Sequence, residues 1–134
     1  MTTMRGRVAL RVLASYETVV AAGALVGGVC LIAGVPGFRL PTAVLAPFGL
    51  STWVLPGVAL IVVVGGTLGW AAGVAWRVDR QAPGFAYAAS VVIAGWLAIQ
   101  LSVLGFREPA QWVTLALVGL LVLLSRYVQR VVAR

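Results

Sequence analysis

Residues 53–76 read WVLPGVALIVVVGGTLGWAAGVAW, a run without a charged side chain. About 20 apolar residues rising about 1.5 Å each cover a hydrocarbon core of about 30 Å, so the run is long enough to cross a bilayer. A helix is predicted from about Thr52 to Trp76, with Pro56 in the first turn, where its missing N–H has no helical partner to lose. Gly57, Gly65, Gly69 and Gly73 are separated by eight, four and four residues. That spacing predicts a groove free of side chains, against which another helix can press its backbone. On this reading Gly69→Leu should disrupt packing far more than Ala71→Leu.

The rest of the chain has the same character. Hydrophobic residues make up 62% and charged residues 10% of the 134 positions, against roughly 45–50% and 25% in a soluble domain. This describes one membrane-embedded domain. All ten basic residues are arginine, with three acidic ones, for a net charge of +7. They stand at the ends of apolar segments and form no basic face, which argues against a nucleic-acid partner. Arginine-only usage in an Ala-, Gly- and Val-rich chain suggests a bacterial source.

Histidine is absent and Cys30 is the only cysteine. A thiolate metal cluster, a His-ligated heme and an intrachain disulfide are therefore excluded, and no metal or cofactor is expected. The acidic residues Glu17, Asp79 and Glu108 are expected on opposite sides of the membrane. No acid/base pair follows from them, so no enzyme is expected.

On the N-terminal side, Arg5, Arg7 and Arg11 precede an apolar run over residues 12–34. It is longer than the roughly 7–15 residues of a cleavable signal core, so a retained helix is predicted. Its Gly23 and Gly27 offer a small-residue face for the groove of the second helix. Pro36, Pro41 and Pro47 then break the apolar segment 35–52. That segment is predicted to lie along the membrane surface, with Phe38, Phe48 and Trp53 at headgroup depth.

On the C-terminal side, Arg77, Asp79 and Arg80 end the second helix, and spans are predicted at about 85–105 and 109–128, joined by the hairpin Arg107-Glu108-Pro109. The fold class is thus all-α, an up-down bundle of four transmembrane helices. Arg5, Arg7, Arg11, Arg77, Arg80, Arg126, Arg130 and Arg134 fall on one side of it, and only Arg39 and Arg107 on the other. The positive-inside rule then puts both termini in the cytoplasm, with the chain in a bacterial inner membrane. The lipid bilayer is its first partner; another membrane protein or a second copy is the next.

Glu17 is the sharpest candidate for chemistry. A carboxylate inside a span costs roughly 2.5–3.5 kcal/mol or more, so something must compensate it. One reading is an ion pair with Arg126 or Arg77, which reach the same depth on the fourth and second helices. The other is a proton- or cation-binding carboxyl facing the bundle interior. The arginines within reach favour the pair. At the other end, Gln100 and Gln111 are expected to hydrogen-bond across the last hairpin. Trp96, one turn below Gln100, and Trp53 could line an outward-facing pocket with it, against the plainer reading of an interfacial aromatic belt. Thr67, Ser90 and Thr114 are expected to bond their own helices.

The order Pro47, Phe48, Trp53, Pro56, Gly57, then Gly65-Gly66, Trp96, Gln100, Gly105, Gln111 and Gly119 resembles a widespread group of small four-helix bacterial membrane proteins, over residues 20–125. What the resemblance implies is architecture. An acidic residue common in the first loop of that group is replaced by Ala46 before Pro47. Two functions are expected in order: an accessory or assembly protein, and a small proton-coupled multidrug-type transporter using Glu17. Such transporters resemble this chain in helix number and in a first-helix glutamate, but they pair in opposite orientations, which the arginine bias opposes.

Overall fold

The computed structural model describes residues 3–34, 49, 52–104 and 109–133. Among them are four helices, each long and apolar enough to cross a membrane: α1 Met4–Ala33, α2 Val54–Trp76, α3 Ala82–Leu104 and α4 Pro109–Ala133. Residues 35–48 and 105–108, which hold the expected surface segment with Phe38 and Phe48 and the last hairpin, lie outside the described residues.

The first helix begins eight residues before the expected Val12. Thr3 is the cause: its side-chain oxygen accepts from the N–H of Gly6 at 3.0 Å, satisfying one of the open amides of the first turn. Arginine is a good helix former, so Arg5, Arg7 and Arg11 extend the helix rather than end it. At 30 residues α1 is about 45 Å long, more than the hydrocarbon needs. It stops at Gly34, whose φ of 66° is the left-handed cap that glycine adopts without strain. The fourth helix likewise runs past 128 to Ala133, with Arg130 in its last turn, where the helix dipole favours a cation.

The helices form a ring in which α1 and α3 each pack against both α2 and α4. Neighbours run antiparallel. Trp76 bonds Thr18 while Gly57 meets Gly28, and Tyr87 bonds Gln129 while Arg80 bonds Val132. The face α1 turns inward is Leu10, Leu13, Ala14, Glu17, Ala21, Ala24 and Gly28, spaced by three and four residues. On α2 it is Gly57, Val64, Gly65, Leu68, Ala71, Ala72 and Ala75.

That list corrects the expected glycine groove. A Cβ at Gly57 would stand 2.8 Å from the carbonyl oxygen of Gly28, and one at Gly65 would meet Ala24 at 3.8 Å. A Cβ at Gly69 or Gly73 would meet nothing within 4 Å. Each step of four residues overshoots a 3.6-residue turn by about 40°, so the stripe winds away from its neighbour as it descends. Alanines take over at the lower levels. On α1 the close approach belongs to Gly28; Gly27 meets only the Leu60 side chain at 3.6 Å, and Gly23 nothing within 4 Å.

Residues Leu60–Gly65 form a π-turn inside α2, which inserts an extra residue into the helical ladder. Between α2 and α3, Val78 has φ 57°, unusual for a β-branched residue. Val78 N–H bonds Ala75 O at 3.0 Å and Asp79 N–H bonds Val74 O at 3.4 Å, the paired bonds of a helix-ending turn usually built on glycine. Asp79 then accepts from Gln81 N–H at 2.8 Å and steers the chain into α3.

Candidate functional site

Three neighbouring residues of α1 face three directions. Tyr16 donates its hydroxyl to Leu117 O of α4 at 2.6 Å. Thr18 accepts from Trp76 Nε1 of α2 at 3.0 Å, and donates to Ala14 O of its own helix at 2.7 Å. Between these two bonds the side chain of Glu17 turns into the ring, on the inward stripe flanked by Leu13, Ala14 and Ala21. It is 0% exposed.

Neither carboxyl oxygen of Glu17 has a hydrogen-bond partner among the described residues. The expected ion pair with Arg126 or Arg77 is therefore not formed there. Both arginines are exposed, as are Arg80, Arg130 and Asp79 on the elements next to α1. The reason is register first. Tyr16 meets Leu117 on α4, so Arg126 stands nine residues, about 13 Å, further toward the end of the bundle than the level of Glu17. It also follows the buried Ser125 and points about 100° away from the interior, and Arg77 lies past the last turn of α2. An exposed guanidinium also keeps water that it would lose by following Glu17 inward.

The remaining polar groups of the spans are quieter. Thr67 bonds Val63 O at 2.5 Å, Ser90 bonds Ala86 O at 2.9 Å and Ser125 bonds Leu121 O at 2.6 Å, each within its own helix. With these hydroxyls absorbed, Glu17 and Gln111 are left as the buried groups without a hydrogen-bond partner among the described residues, and Glu17 is the ionisable one.

At the opposite end, the expected amide pair of Gln100 and Gln111 is not made among the described residues. Gln111 is buried with both side-chain polar atoms unpartnered among the described residues, whereas Gln100 is half-buried. Gln100 sits at the margin of the inward face of α3, whose last well-buried member among the described residues is Leu97. Trp96 packs against the core, and Trp53 is half-buried at the start of α2.

Sequence reasoning missed Tyr16, Thr18 and Trp76 as the bonds that bracket Glu17. A signal was present: two hydroxyl residues flank a carboxylate in an apolar span, where each polar group needs a partner. Compared with known proteins, the chain matches no family model, no curated protein and no solved structure.

Proposed function

We propose that this is a non-catalytic, multi-pass protein of a bacterial inner membrane, with both termini cytoplasmic, in which Glu17 exchanges a proton for a lipophilic cation. The carrying observation is the fully buried carboxyl with no partner among the described residues. A carboxylate in an apolar interior requires a positive charge beside it. Every described arginine is exposed and none of them supplies that charge, which supports a proton, or a cation that displaces it, in that place. The surrounding core is leucine, alanine and valine, so a cation that fits must bring its own apolar surface. This favours the transporter reading over the ion pair expected from the sequence.

The test is calorimetric binding of tetraphenylphosphonium to the detergent-solubilised protein at pH 5 and pH 8. Proton and cation compete for one carboxyl, so the affinity is expected to be weaker at pH 5, and Glu17→Gln to abolish binding while leaving the helical content unchanged. Equal binding by the wild type and Glu17→Gln would overturn the reading.

The assembly reading has its own support. Gly23 on α1 and Gly69 on α2 stand at about the same level, between the contacts of Ala24 with Gly65 and of Thr18 with Trp76, and neither is covered by the described residues of the chain. Small uncovered residues let a further helix approach closely. A shift from a larger to a smaller particle in light scattering on Gly69→Leu would favour it.

A further inference from the structure

The topology gathers the N-terminus of α1, the α2–α3 turn and the C-terminus of α4 at one end of the ring. There Arg5, Arg7, Arg11, Arg77, Arg80, Arg126 and Arg130 are all exposed, with Asp79 as the one acidic residue among the described residues of that end. Asp79 is engaged with the N–H of Gln81. Within this end lies a groove of about 280 Å³, lined by Arg80, Pro83, Gly84, Gln129, Val132 and Ala133.

The groove has donors to spare. Arg80 spends one N–H on Val132 O at 3.0 Å, and a guanidinium has five. That bond also fixes the guanidinium in the groove wall. Gln129 accepts from the Tyr87 hydroxyl at 3.3 Å through Oε1, and its amide NH₂ remains available. Arg126 lies on the same face of α4 as Gln129, three residues earlier. A planar fork beside an amide suits a phosphate ester oxygen.

The walls above are apolar. Gly84, Ala88 and Val91 follow one another at helical spacing on α3, all exposed, and a Cβ at Gly84 would meet nothing within 4 Å. An anion with a long apolar tail thus finds donors at the end of the bundle and an apolar track along it.

We propose that this groove binds the phosphate of an anionic phospholipid, with Arg80 and Gln129 on the headgroup and the Gly84–Ala88–Val91 stripe under an acyl chain. Polybasic clusters at the membrane boundary attract anionic lipid in general; the groove makes the interaction a site. The experiment is native mass spectrometry of the full chain from nanodiscs containing phosphatidylglycerol and phosphatidylcholine in equal parts. The wild type is expected to retain phosphatidylglycerol with a stoichiometry that saturates. Arg80→Gln and Gln129→Leu should each weaken retention about tenfold, since each removes a hydrogen bond to a charged group. Arg7→Gln, which removes a like charge outside the groove, should change it less than twofold. The melting temperature in pure phosphatidylcholine checks that each variant is folded, and Gln129→Leu stands in if Arg80→Gln is not. Equal losses in all three variants would replace the site with diffuse surface attraction. Retention of phosphatidylcholine as strong as that of phosphatidylglycerol would overturn it. So would displacement of the lipid by millimolar inorganic phosphate alone, which would make this a phosphate site.

Discussion

The two halves of α2 pack by different means. Above and within the π-turn, Gly57 lets its helix approach so closely that a single added carbon would stand 2.8 Å from the carbonyl oxygen of Gly28. Below it, Gly69 and Gly73 face outward, and Leu68, Ala71, Ala72 and Ala75 fill the interface. The glycine content of the halves is similar; the use made of it is not. Close helix approach in a membrane depends on which azimuth a small residue occupies, and counting small residues along the chain misses that.

Substitutions grade this difference. Gly57→Leu is expected to have the largest effect, because the atom it strikes is backbone and cannot swing aside. A loss at or beyond the upper end of the about 1–3 kcal/mol typical of overpacking is expected, read as a fall in melting temperature in detergent. Ala71→Leu comes next. Ala71 is 0% exposed, but its neighbours are side chains that can repack, so a loss of about 1–2 kcal/mol is expected. Gly69→Leu should be smallest, within about 0.5 kcal/mol and on the stabilising side, because it fills open space and replaces glycine by a better helix former. This reverses the order expected from the sequence. If Gly69→Leu proves as damaging as Gly57→Leu, the two halves pack alike and the distinction fails.

The four spans were legible because each is a long apolar run bounded by arginine or proline, and hydropathy alone decides that. The gathering of the described arginines at one end was legible for the same reason. Helix ends were less so: Thr3 adds two turns to α1 through a single side-chain bond that hydropathy does not register. The π-turn at Leu60–Gly65 left no mark in a uniform run of leucine, isoleucine and valine.

Glu17 was legible as a residue, and its surroundings were not. Whether it meets Arg126 depends on the register of α4 as well as its rotation: Tyr16 meets Leu117, nine residues before Arg126, and a turn of about 100°, one residue, separates the buried Ser125 from the exposed Arg126. Tyr16 and Thr18, one residue to either side of Glu17, were rotated onto α4 and α2 instead.

The central claim, that no described group of this chain compensates Glu17, is tested by the melting temperatures of Glu17→Leu, Arg126→Gln and the double variant in detergent. Removing a buried polar group that has no partner relieves its desolvation cost, so Glu17→Leu is expected to raise the melting temperature. Arg126→Gln should leave it unchanged, and the two effects should add. A lower melting temperature in both single variants, with the double variant no worse than either, would contradict the account and restore the ion pair.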